Sequence, residues 1–448
     1  MIELNKKVYF KILIYFLSFI GMNNQSFGQN SVDSSSKISF HFQQTTVYQM
    51  QPGVNGNYAS DFSLSSKQED AISLTSTLFF GTKLWKGAEA YFNPELAGGS
   101  GLSKARGIAG FTNGETFRIG DPSPQPYIAR AFITQKFTLN NNKIWQPDGL
   151  NKIASFQPEK YFSITAGKIS LADYFDNNSY SHDPRSQFLN WSLMSNGAWD
   201  YAANTRGYTV GIVLQYVSPT WSFRYAGALV PENANGPTLA SNFKKYNAHV
   251  VEVEKTIHIN IRKGSIKILI FENFANMGNY ANAIKNLLPG SIPDITTTRT
   301  GGVNNKYGFG INFEQAITDN IGVFSRLSWN DGINETWAFT EIDQSISAGI
   351  SMDGKMWHRH EDLLGIAFVA NGISANHANY LKAGGKGFMI GDGKLNYGNE
   401  MIFELFYNFL LHEDHFWLAP DYQLVVNPAY NIDRGPSNVF ALRLHVEF

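Results

Sequence analysis

Apolar and polar residues alternate with a period of two along most of this chain. At its end Phe440, Leu442, Leu444, Val446 and Phe448 share one face, and Ala441, Arg443, His445 and Glu447 share the other. Side chains point to opposite sides of a strand in turn, so this pattern predicts β-structure. Residues 208–217 place Val210, Ile212, Leu214 and Tyr216 together. Residues 221–230 oppose Trp221, Phe223 and Tyr225 to Ser222 and Arg224. In 246–259, Val251, Val253, Ile257 and Ile259 stand against Glu252, Glu254, Thr256 and His258. Residues 306–316 and 399–410 repeat the scheme, with Asn312, Glu314, Glu404 and Asn408 on the polar side. Charge opposite aromatics, strand after strand, fits a watery lumen better than a dry core, where unpaired charge is costly.

Sixteen candidate strands begin near residues 38, 72, 87, 128, 161, 208, 221, 246, 264, 306, 320, 336, 361, 399, 415 and 438. Very short links mostly alternate with long ones such as 51–71, 94–127, 170–207, 275–305 and 372–398. Transmembrane barrels have short periplasmic turns and long outer loops, and an even count leaves both ends on one side. Two links break the alternation: 140–160 is long for a turn, and 331–335 is short for an outer loop. Pro420 is also awkward, because it removes a ladder donor within a strand. The predicted fold is an all-β antiparallel transmembrane barrel of about sixteen strands, with long extracellular loops folding into the lumen.

The first residues place the chain in a secretory route. Lys6, Lys7 and Lys11 precede an apolar core, Ile12 to Met22, and a small-residue site, Ser26-Phe27-Gly28, follows. These are the parts of a signal peptide, and the apolar run is too short to cross a bilayer as a helix. The expected organisation is a signal peptide over 1–28, a flexible lead-in over 29–37 and the barrel over 38–448. Removing three Lys and one Glu from 36 basic and 37 acidic residues leaves 33 and 36, a charge of −3. That balance argues against a nucleic-acid partner. Cysteine is absent, so neither lipoprotein processing nor a disulfide enters the picture. Aromatics form 14% of the chain and charged residues 16%, with no long apolar run after the signal. A barrel needs just this, since only alternate residues of each strand meet lipid.

No enzyme signature stands out, and no cofactor or metal is expected. His412-Glu413-Asp414-His415 spaces its histidines three apart, where the zinc-protease motif needs four on a helix. The glycine groups at 98–101 and 384–387 lack the strand-to-helix setting of a phosphate loop. Strand parity instead directs Glu89, Asn93, Arg130, Arg224, Glu252, Glu254, Arg326, Glu404, Asp421 and Arg443 inward. Opposed cations and carboxylates across a bore favour polar solutes. Two long loops, within 93–130 and 167–207, mix Asn, Asp, Arg, Tyr and Trp with Gly and Pro turns; long structured loops are usually functional. Each loop charge could equally be a salt bridge pinning the loop to the wall.

Several segments resemble the OprB-type carbohydrate-selective porins: WKGAEAYFNPELAGGSGLS, AGFTNGE, GDPSPQPYIAR and AGKISLADYFDNNSYSHDPRSQFLNWSLMSNGAWDYAANTRGY, with YLKAGGKGFMIGDGKLNYGNE and PDYQLVVNPAYNIDRGPSNVFALRLHVEF at the far end. The likeness is strong at both ends, weak in 232–355, and spans about two thirds of the chain after the signal. It implies a sixteen-stranded outer-membrane barrel of a Gram-negative bacterium that passes monosaccharides such as glucose by diffusion. By the same resemblance Glu95, Asp173, Asn177, Arg185, Trp199 and Arg206 are constriction candidates. A general porin without sugar preference is the alternative. Expected partners are small sugars, outer-membrane lipid and the barrel-assembly machinery, which reads a carboxyl-terminal aromatic such as Phe448.

Overall fold

A computed structural model describes residues 35–56, 60–116, 123–412 and 415–448. The expected signal peptide and most of the lead-in lie outside these residues. The chain forms β1 (Ile38–Gln51), β2 (Glu69–Trp85), β3 (Ala88–Gly99) and β4 (Gln125–Thr138). A separate two-stranded ribbon follows, β5 (Lys143–Gln146) with β6 (Ser155–Pro158). Then come β7 (Tyr161–Ile169), β8 (Thr209–Val217), β9 (Trp221–Ala228), β10 (Asn247–Ile259), β11 (Arg262–Ala275) and β12 (Asn304–Ala316). The last are β13 (Ile321–Asn330), β14 (Gln344–Asp353), β15 (Leu363–Gly372), β16 (Glu400–His412), β17 (Phe416–Val426) and β18 (Ser437–Glu447).

All strands except β5 and β6 pair antiparallel with their neighbours, and β1 closes the ring on β18. Closure leaves no unpaired sheet edge, which is what lets strands cross hydrocarbon. No helix among the described residues is long and apolar enough to do so. The ring is thus the predicted sixteen-stranded barrel. Its alternation is physical: Phe80, Ile133, Ile212, Ile270, Ile346 and Phe368 are exposed on the outer face, while their strand neighbours point in. Aromatic pairs such as Phe40 with Phe80 and Phe368 with Phe403 reinforce that face across strands.

One local reading changes, and two anomalies find their explanation. The strand expected near 336 starts instead at Gln344, and the apolar run Trp337-Ala338-Phe339 is buried loop. Its main-chain N–H groups go to the Asp200 carboxylate, at 2.8, 2.8 and 3.0 Å, rather than to a ladder. The outer loop between β13 and β14 is therefore long, and the alternation of loop lengths is restored there. The 140–160 link holds the β5–β6 ribbon. Pro420 does sit within β17, and its cost is visible. The ladder to β16 runs from Phe406–Asp421 to Phe409–Leu418 and skips Ala419 and Pro420, whereas pairing to β18 is continuous.

Inward residues differ sharply around the ring. On β14 and β15 they are small: Ser345, Ser347, Gly349, Gly365 and Ala367. On β3, β4 and β9 they are large or charged, including Glu89, Tyr91, Arg130, Phe132, Lys136 and Arg224. Small residues make room for a loop. A Cβ at Gly365 would stand 2.9 Å from the Phe188 ring, and one at Gly322 would overlap Tyr180.

Phe368 is 60% exposed at the middle of β15. Phe368→Lys should lower the unfolding free energy in lipid vesicles by about 2–4 kcal/mol, as a cation at the bilayer midplane does. Reversible urea unfolding in vesicles measures it.

Candidate pore constriction

Two upper loops enter the lumen. The longer, residues 170–208 between β7 and β8, carries the short helix α1 (Trp191–Met194), started by Asn190, whose side chain accepts from Ser192 N. Its backbone lies inside the barrel and needs hydrogen-bond partners there. The wall supplies them. Glu404 of β16 accepts from Leu189 N at 2.5 Å and Asn190 N at 3.0 Å. Arg326 of β13 donates to the carbonyls of Leu193 and Ser181, at 2.8 and 2.5 Å, and pairs with Asp176 at 3.1 Å. Asn312 of β12 meets Asp176 and Asn178, and Arg443 of β18 donates to Pro184 O and Gln187 O.

Residues 100–116, which follow β3, are held alike. Glu400 accepts from Ala109 N at 2.9 Å and Gly110 N at 2.7 Å, and from Ala429 N at 2.8 Å. The two loops also interlock: Trp191 N donates to Phe111 O, and a Cβ on Gly110 would approach Ser192 Oγ to 2.5 Å. Only a glycine permits so close a crossing.

An open cavity of about 720 Å³ remains beside the loops, against β1–β4 and β7–β9. Its charges are paired across the bore. Arg130 from the wall grips Asp173 from the loop with two bonds of 2.6 Å. Arg185 from the loop meets Glu115 at 2.8 Å and the wall's Glu95 at 3.8 Å. Glu95 also accepts from the hydroxyls of Tyr127 and Tyr208. The Arg206 guanidinium lies 4.1 Å from the centre of the Tyr127 ring, and that of Arg130 lies 5.2 Å from the Tyr208 ring.

Aromatic faces share the same space. Phe111 packs on Trp191 with ring centres 5.2 Å apart, and Trp191, Phe339 and Tyr201 form a mutual cluster with centres 4.5–5.6 Å apart. Trp191, Tyr201 and Phe339 line the cavity. On the wall Tyr91 stacks on Phe132 at 5.1 Å, and both line it too.

Of the residues singled out in the sequence, Glu89, Glu95, Arg130, Asp173, Asn177, Arg185, Arg206 and Arg224 line the cavity. Four do not. Asn93 is fully buried and bonds Asn151. Glu252 points inward but accepts from Asp176 N and Arg224, and Arg326 is the strut described above. Trp199 is core, packed on Phe175 and Tyr201. Parity gives the direction of a wall residue correctly, yet beneath the loops inward means pinned rather than open to solute. Glu115, Tyr127, Trp191, Tyr201, Tyr208 and Phe339 escaped the sequence reading. Asn-Trp-Ser at a helix start was a usable signal for Trp191.

Burial raises the Glu115 carboxyl above its ordinary range, with Arg185 pulling the other way. A raised carboxyl is charged above its pKa and neutral below it, so acidification removes a negative charge at this point early. Cation preference of the channel should fall on acidification at a higher pH than for an ordinary carboxylate, and Glu115→Gln should flatten that part of the profile. Reversal potentials across a salt gradient, taken from pH 8 to pH 4, measure this.

A family model described as "Carbohydrate-selective porin, OprB family" matches residues 77–448. No curated protein matches the chain. Among solved structures, OprB of Pseudomonas putida in its high-pH form is similar with a TM-score of 0.66 at 14% identity, covering 92% of this chain and 94% of that one. The outer membrane channel DcaP of Acinetobacter baumannii gives 0.48 at 10% identity, over 93% and 100%. The Pseudomonas likeness establishes the fold. Matched from within β2 through β18, the chain belongs to the OprB family and is a carbohydrate-selective porin of the Gram-negative outer membrane.

Proposed function

We propose that the solutes are monosaccharides such as glucose, crossing by passive diffusion without catalysis, and that Glu95, Glu115, Arg130, Asp173, Arg185 and Arg206 form the selective constriction. One observation carries this reading: the largely buried rings of Trp191, Tyr201 and Phe339 and a set of opposed charges border the same cavity. Its volume of about 720 Å³ falls within the range of about 300–1,000 Å³ typical of small-molecule sites. A pyranose offers an apolar C–H face and a rim of hydroxyls. The first suits Trp191, Tyr201 and Phe339, and the second suits carboxylates and guanidinium groups, which replace lost water bonds. Glu89, Asn177 and Arg224 extend the polar lining above and below.

Planar-bilayer conductance titrated with glucose, other monosaccharides and disaccharides tests it. Saturable block by monosaccharides is expected. Trp191→Ala should weaken the block by about two- to ten-fold, the equivalent of about 0.5–1.5 kcal/mol of ring contact, and Trp191→Phe should restore most of it. Channels indifferent to every sugar would favour the general porin instead.

The outer apolar face is read as the lipid contact, and Phe448 as the mark for the assembly machinery. Its N–H and carbonyl both pair with Phe42 at 2.9 Å, and its ring rests on His415 and Phe416. Deleting Phe448 should reduce the folded, heat-modifiable fraction in outer membranes several-fold; normal levels would refute the role.

A further inference from the structure

The β4–β7 link does something other than turn the chain. Leu139 N bonds Lys160 O, and Glu159 N bonds Asn142 O. Between these pairs one side therefore carries two extra residues, Asn140 and Asn141. Such an offset bends a ribbon. The bent ribbon enters the lower mouth of the barrel instead of projecting from it. Ile153 is fully buried, against Tyr91 and beside Gly81, where a Cβ would come within 3.3 Å of it. Asn151 bonds Asn93, five residues up β3 from Ala88. At about 3.4 Å per residue that is on the order of 17 Å along the strand.

The tip is fixed there. The carbonyl of Ala154 accepts from Ser36 N at 3.0 Å and Lys83 Nζ at 3.2 Å. Asp148 pairs with His41 at 3.1 Å. Gln157 joins Lys136 at 2.9 Å and Glu89 at 3.4 Å. Gln146, Leu150, Asn151 and Lys152 line the same cavity as the loop constriction.

We infer that this ribbon is a second, periplasmic constriction, an exit sieve that narrows the pore and presents amide and ammonium groups to a small hydroxyl-rich solute after it passes the upper loops. Amides both donate and accept, so Gln146 and Asn151 can exchange bonds with hydroxyls in either direction. Lys152 adds a positive charge to a cavity that also holds the Glu89–Lys136 pair, 3.8 Å apart. The identity of the solute as a sugar rests on the function proposed above; the narrowing does not.

The test replaces residues 140–159 by Asn-Gly. Leu139 and Lys160 already pair, so a two-residue hairpin turn fits between them. Single-channel conductance in salt alone should rise by roughly two-fold or more, and liposome swelling should admit disaccharides that the parent excludes. A folded variant with parental conductance and sieving would overturn the inference. If the shortened chain does not fold, Asn151→Ala combined with Lys152→Glu decides. It should shift the reversal potential toward cation preference, and an unchanged potential would overturn the inference. Salt conductance contains no sugar, so a channel that no sugar blocks would fail the proposed function while this result stood or fell separately.

Discussion

Buried carboxylates that each accept two or three main-chain N–H bonds hold the pore in shape. Glu400 and Glu404 stand four residues apart on β16, hence on one face, and each clamps one of the two inward loops. Asp200 does the same from loop to loop, seating 337–339, and Asp176 meets Arg326 and Asn196. Each such hydrogen bond contributes about 0.5–1.5 kcal/mol, and a buried N–H left without one costs about 1–3 kcal/mol. Stranding one partner of a buried ion pair costs about 3–5 kcal/mol. A loop leaving the lumen would abandon several such groups at once, so its position is fixed without any disulfide or metal.

Loop position then dictates where the pore can be. Small inward residues on β14 and β15 accept the loop core, including Phe188 packed against Phe324 and Phe406. Large and charged residues on β3, β4 and β9 keep the other half open. The bore is therefore eccentric, walled by strand side chains on one side and loop side chains on the other. Two of the charge pairs in the cavity, Arg130–Asp173 and Arg185–Glu95, join these two sides. Selectivity chemistry and loop anchoring draw on the same residue types. They differ only in whether solvent reaches them.

That difference explains what the sequence disclosed. Period-two alternation and link lengths carry the barrel, because lipid on one side and water on the other act on every strand. Parity also orients Glu252, Arg326, Glu404 and Arg443 correctly. It is silent on what stands over them, since that depends on where a distant loop folds. Trp337-Ala338-Phe339 imitates a strand because local apolarity cannot show that Asp200 takes its amides. The long 140–160 link was visible as an anomaly, but its bend depends on the pairing of 139 with 160. Resemblance singled out Asp173, Arg185 and Arg206 in the loop. It lapsed across 232–355, where Phe339 lies.

Wall carboxylates hold the loops and so set the bore. Single-channel current through Glu404→Ala, compared with the parent at one salt concentration, tests it most directly. Release of Leu189 and Asn190 should give a larger and noisier open level, because the 170–208 loop loses its anchor on β16. A steady current of parental size would contradict the account and place the determinants of the bore elsewhere.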